Sequence, residues 1–76
     1  MIEPSQMRMA RAALKISVRE LSKLSGVADS TILRFESGKG AILTTNMKRM
    51  EEALEAAGVV FLPADSTGGP GVRLRG

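Results

Sequence analysis

Residues 17–39, SVRELSKLSGVADSTILRFESGK, decide the fold. The stretch reads as two short amphipathic helices joined by a tight turn at Gly26, with a second stop at Gly38, since glycine adopts left-handed backbone without steric cost. Leu21 and Leu24 supply the apolar face of the first helix, Val27 follows the turn, and Ile32 and Phe35 supply the second at helical spacing. Ser17 is a good N-cap, and Glu20 three residues on completes a capping box. Ser22 is the small residue expected where two crossing helices approach most closely. The second helix starts near Ala28 or Asp29 and leaves Asp29, Ser30, Leu33 and Arg34 to point away from the core, which makes an exposed Leu33 notable.

Outward from this stretch, residues 4–14 read as a first helix. Pro4 sits at its first position, where a missing N–H is no loss, and Met7, Ala10, Arg11 and Leu14 fall on one face. A cation on an apolar stripe needs solvent for its head or a carboxylate partner, and Glu36 is the candidate. Downstream, residues 39–44 read as a loop, with Thr44 or Thr45 capping a fourth helix that ends at Gly58 and buries Met47, Met50, Leu54 and Ala57. The methionines are read as core filling. The period then changes: Val59, Val60, Phe61 and Leu62 form a β-favouring run closed by Pro63, ADSTGGPG is turn or loop, and Val72-Arg73-Leu74-Arg75 alternates. The expected division is 1–58 for the helical domain and 59–76 for a strand tail. An isolated hairpin is marginal in water, and so apolar an edge invites pairing with another chain. Dimerisation through Val59, Val60, Phe61, Leu62, Val72 and Leu74 is therefore expected; the alternative is a hairpin folded back on the fourth helix.

Composition narrows the function. At 76 residues, 43% of them hydrophobic, the chain has room for one small folded core. With no cysteine and no histidine, disulfides and Cys/His zinc sites are excluded, and stability has to come from packing and association. No apolar run approaches a membrane span and the opening MIEPSQMRMARAAL lacks the apolar core of a secretory signal, so a cytoplasmic protein is the default expectation. The net charge of +3 hides an asymmetry: residues 8–49 hold nine Lys/Arg against Glu20, Asp29 and Glu36, whereas residues 50–65 hold Glu51, Glu52, Glu55 and Asp65 and no base. A polyanion would meet one side only. Catalysis is not expected, because no acid, base and nucleophile fall into a recognisable pattern and no glycine-rich phosphate loop precedes a helix. A hydrolase would need a metal on Glu51, Glu52 or Glu55, which helical spacing splays. The serines read as caps and turn formers, GGPG at 68–71 as a hairpin turn, and no cofactor or metal is expected.

Leu21 with the small Ser22, Gly26-Val27 at the turn, and then Ile32, Phe35, Glu36 and Gly38 in the pattern TIxRFExG resemble the helix-turn-helix of the phage repressor and Cro type, the XRE family. Residues 4–57 can be laid on that family. LEAAG running into VVFL and ending GPGVRLR also resembles short bacterial XRE-type proteins in which a strand tail replaces the usual fifth helix. The resemblance implies a mainly α, four-helix repressor-like domain with a short β-strand or hairpin appendage. It implies that residues 29–37 form the recognition helix entering the major groove, with Asp29, Ser30, Leu33 and Arg34 at base-contacting positions. On that footing Arg34 would donate two hydrogen bonds to a guanine edge, Ser30 would bond to several bases, Leu33 would meet a thymine methyl and Asp29 would accept from a cytosine amino group. Phosphate contacts are implied for Ser17, Val18 and Arg19 at the start of the second helix, and for Lys39, Thr45, Asn46, Lys48 and Arg49 around the start of the fourth. The family's Arg and Glu that pair beneath the recognition helix match Arg11 and Glu36. Position 28 is Ala where the family often has a capping Ser, so Asp29 either caps the third helix or reads a base. The implied function is that of a homodimeric, sequence-specific transcriptional regulator on a palindromic double-stranded DNA operator. The alternative is an antitoxin or antiactivator that sequesters a protein partner through VVFL or the fourth helix.

Overall fold

In the computed structural model, which describes residues 2–76, the chain runs α1 (Pro4–Leu14), α2 (Val18–Ser25), α3 (Asp29–Glu36), α4 (Thr44–Ala56), β1 (Val59–Leu62) and β2 (Gly71–Leu74). The architecture is mainly helical, with one two-stranded antiparallel sheet, as the sequence implied.

The helix ends follow from local chemistry. Pro4 opens α1, and the Glu3 N–H donates to Gln6 Oε1 at 2.8 Å. α1 closes on a non-glycine: Lys15 adopts φ 58, with its N–H to Ala12 O and the Ile16 N–H to Arg11 O, a Schellman closure. α2 opens on the expected capping box, Glu20 N–H to Ser17 Oγ and Ser17 N–H to Glu20 Oε1, each 3.0 Å. Gly26 ends it at φ 75, and Ser22 ties the turn by donating its hydroxyl to Val27 O at 2.6 Å.

Three expectations need correction. Leu24 is 58% exposed, because the inward stripe of α2 runs through Val18, Leu21, Ser22 and Ser25 and leaves Leu24 outside it. α3 starts at Asp29 as expected, and of the two roles left open for that residue it does not take the cap: the N-cap is Ala28 without a side-chain bond, with Val27 docked in the core before it. Likewise Leu43, not a threonine, occupies the N-cap of α4, because Ile42 packs on the core and starts the helix one residue early. Ala57 is exposed; the chain turns at Gly58 (φ 107), and Val59 takes the core place assigned to Ala57.

One core joins helices and hairpin. Met7 and Ala10 of α1, Leu21 of α2, Val27, Ile32 and Phe35 around α3, and Met47, Met50 and Leu54 of α4 enclose it, with Ile2 and Val59 at its edges. Each fully buried side chain of the Leu or Met class stabilises by roughly 1.5–3 kcal/mol. The strands pair Val59 with Leu74, Val60 with Arg73, Phe61 with Val72 and Leu62 with Gly71. Opposite residues share a face, so Val59, Phe61, Val72 and Leu74 lie together on one side and Val60, Leu62 and Arg73 on the other. The hairpin folds back chiefly on α1, which packs against β2, while β1 meets α4. Gln6, buried to 3% exposure, donates from Nε2 to both Leu62 O and Gly71 O at 3.0 Å, and the Arg75 N–H donates to Gly58 O at 2.8 Å at the open end. Of the residues expected at a dimer contact, Val59 is therefore enclosed in its own core and Phe61 and Val72 pack against it; Val60, Leu62 and Leu74 retain partial exposure.

Candidate nucleic-acid interface

α3 buries Ile32, Phe35 and Glu36, which by helical geometry turns Asp29, Ser30, Leu33 and Arg34 to the other side, and all four are exposed. No intramolecular hydrogen bond engages the Asp29 carboxylate, the Ser30 hydroxyl or the Arg34 guanidinium among the described residues. The Thr31 and Ile32 N–H groups are both taken up by Ala28 O, which leaves the N–H groups of Asp29 and Ser30 at the helix start without an acceptor. The face is thus polar, unpaired, and centred on one 56% exposed leucine.

The other end of α3 is fixed rigidly. Arg11 donates from Nε to Glu36 Oε2 and from Nη2 to Glu36 Oε1, both at 2.6 Å, and from Nη1 to Ile16 O at 3.3 Å. The hydrogen bond to Glu36 raises the Arg11 guanidinium above its ordinary range, against a smaller opposing effect of burial. Glu36 is 5% exposed, so α3 is pinned to α1 by a bidentate pair at the margin of the core. Arg8 adds a second tie that the sequence reading missed, donating from Nη1 to the Glu36 carbonyl. Its signal was a cation one helical turn before Arg11, suited to the negative end of a facing helix. The helix closes with Lys39 N–H to Arg34 O at 3.2 Å and Gly38 N–H to Phe35 O at 3.0 Å, with Gly38 at φ 72.

Among the expected phosphate contacts, Ser17, Arg19, Lys39, Thr45, Lys48 and Arg49 are exposed, Asn46 is half-buried, and Val18 packs on the core. The capping box takes up the Ser17 N–H and uses its hydroxyl oxygen as an acceptor, so the open donors at the start of α2 are the Ser17 O–H and the N–H groups of Val18 and Arg19. At the start of α4 no side chain caps the helix, and the N–H groups of Thr44, Thr45 and Asn46 remain open. Such open helix starts favour anions.

Residues 7–57 match the helix-turn-helix family HTH_3, from the core of α1 to the end of α4. The chain belongs to the XRE-type helix-turn-helix family. This is a family of DNA-binding transcriptional regulators, not typically enzymes, and DNA-binding regulation is the general function it confers. No curated protein matches the chain. The match stops at Ala57, so the hairpin of this XRE-type protein lies outside the family's shared part.

Elsewhere on this helix-turn-helix protein, a cavity of about 300 Å³ opens between the start of α1, α4 and the hairpin, lined by Ile2, Gln6, Glu51, Phe61, Pro63 and Pro70 among others. None of its lining residues belongs to α3. Among the described residues no cluster of three acidic side chains is placed to hold a metal ion, and no helix is long and apolar enough to cross a membrane.

Proposed function

We propose that the chain is a sequence-specific transcriptional regulator that binds a palindromic operator as a homodimer, with α3 in the major groove. The observation that carries this is the exposed set Asp29, Ser30, Leu33 and Arg34, free of internal hydrogen bonds on a helix pinned at its far end by Arg11 and Glu36. Arg34 is the principal reader, donating two bonds to a guanine edge, worth roughly 1–3 kcal/mol of discrimination. Ser30 and Leu33 read neighbouring positions. Asp29, no longer needed as a cap, is the position suited to accept from a cytosine amino group. The open N–H groups of α2 and α4 and the side chains of Arg19, Lys39, Lys48 and Arg49 supply phosphate contacts. In the dimer the outward hairpin face, Val60 and Leu62 with Leu74 at the rim, meets its two-fold copy, and half-sites lie about 34–36 Å apart.

The test is selection of bound sequences from random DNA by the purified protein, followed by binding to the recovered site and its single-base variants. A palindrome is expected; recovery of unrelated sequences would end the sequence-specific reading. Arg34→Ala should relax preference at one base pair of each half-site, whereas Lys48→Ala should weaken all sequences alike and lower the salt slope by about one.

A second function is favoured by the half-exposed Val60 and Leu62: an antitoxin-like or antiactivator-like module whose hairpin sequesters a protein partner. It predicts that Arg34→Ala leaves the biological effect intact while Val60→Asp abolishes it.

A further inference from the structure

The loop after α3 holds Arg34 at two levels. The Arg34 carbonyl accepts from the Lys39 N–H at 3.2 Å and from the Ser37 hydroxyl at 2.9 Å, which fixes its backbone. The aliphatic stem runs beside Gly40, where an added Cβ would stand 3.6 Å from Arg34 Cδ. Gly40 lies at φ +82, and among the loop's glycines it differs from Gly38, at φ +72, where an added Cβ would meet nothing within 4 Å. Residue 40, lacking a side chain, therefore leaves open the space beside the Arg34 stem. Arginine is long and rotamer-rich, and a side chain grown into that space changes which of its rotamers are open for contact.

We propose that Gly40 is a positioning residue for base reading: it sets the direction in which Arg34 presents its guanidinium, so that residue 40 tunes base preference without touching a base. The inference rests on Arg34 being a base contact. A methyl alone would meet the stem at ordinary contact distance, so the space closes only when a longer side chain grows into it. Asparagine tolerates left-handed backbone better than other residues, which makes Gly40→Asn the informative variant and Gly38→Asn its control, with the same backbone demand and open space around it.

Binding of the wild type, Gly38→Asn, Gly40→Asn, Arg34→Ala and the Gly40→Asn/Arg34→Ala double variant is measured on the selected operator and its single-base variants, with thermal melting as the check on folding. Gly40→Asn should lower discrimination at the base pair set by Arg34 by about threefold to tenfold, a coupling usual for side chains in contact. Gly38→Asn should not, and Gly40→Asn should cost nothing more once Arg34 is alanine. Gly40→His, bulkier and also tolerant of left-handed backbone, serves if the asparagine variant melts low, and should lose at least as much. Unchanged discrimination in Gly40→Asn, an equal loss in Gly38→Asn, or a loss that persists without Arg34 would overturn the inference. Wild-type discrimination in Arg34→Ala would instead remove the base contact itself, and the inference with it.

Discussion

Arg11 on α1 and Glu36 at the end of α3 meet through two parallel hydrogen bonds of 2.6 Å, so the helix carrying the exposed polar face is oriented by a helix that presents no part of that face. Removing one partner of a buried pair leaves the other charge stranded, at a cost of about 3–5 kcal/mol. Arg11 retains 22% side-chain exposure, and water offsets part of the loss, so Glu36→Ala is expected at the lower end of that range. Because the folded Arg11 is raised, its contribution is complete below the ordinary arginine range and is lost only as the pH climbs through the raised value. The destabilisation should therefore be the same at pH 6 and pH 9 in urea melts. Replacing both partners, Arg11→Met with Glu36→Leu, should recover most of the loss; a double variant as unstable as Glu36→Ala would mean that packing, not stranded charge, sets the cost.

Lys15 is the one non-glycine with positive φ among the described residues, at the Schellman closure of α1. Left-handed backbone costs an L-residue roughly 1–2 kcal/mol, and glycine escapes that while losing somewhat more chain entropy on folding. Lys15 is exposed and makes no side-chain hydrogen bond, so little else is lost with it. Lys15→Gly is expected to stabilise by about 1 kcal/mol, a rise in Tm of several degrees for a domain of this size. An unchanged or lower Tm would show that the lysine stem contributes packing of equal worth.

The helical part was legible because its signals are local. Ser17 with Glu20, Gly26, Gly38 and the spacing of Ile32 and Phe35 each act within one turn, and the structure realises them as caps, stops and inward positions. Errors arose where a distant contact decided the register. Docking of Ile42 started α4 ahead of its threonine capping candidates, and the short α2 turned Leu24 outward. Gln6 gave no warning: its amide serves carbonyls more than fifty residues away, and no periodicity marks that role. Arg11 and Glu36 could be paired in advance because a cation on an apolar stripe demands an acid.

Asp65 orders the hairpin loop by accepting from the Thr67 hydroxyl at 2.6 Å, the Thr67 N–H at 2.8 Å and the Gly68 N–H at 3.1 Å. The Thr67 hydroxyl first, and then the backbone donors, hold its carboxyl below the ordinary carboxylate range. A lowered folded value means that the loop's stabilisation is present above the ordinary range and disappears as the pH falls through the lowered one. The amide resonances of Thr67 and Gly68 should move together with a midpoint on the acid side of ordinary aspartate. Asp65→Asn should remove the titration, and a midpoint at the ordinary value would show that the carboxylate bonds are not populated in solution.

Gln6 is the hinge pin between α1 and the hairpin. Its two amide hydrogens satisfy Leu62 O and Gly71 O, which face each other across the strands, and its Oε1 takes the Glu3 N–H. Each of the two hydrogen bonds given up by the buried amide is worth about 0.5–1.5 kcal/mol, so Gln6→Ala should destabilise by roughly 2 kcal/mol. The loss should be local: amide exchange should rise in β1 and β2 first, while the amides of α3 keep their protection through the Arg8 and Arg11 ties. If the outward hairpin face forms the dimer, the same variant should also shift sedimentation toward monomer at concentrations where the wild type is dimeric. Loosened strands in a species that remains dimeric would move the interface off the hairpin. Uniform exchange across all four helices would show that hairpin and helices unfold as one unit, with Gln6 holding more than the tail.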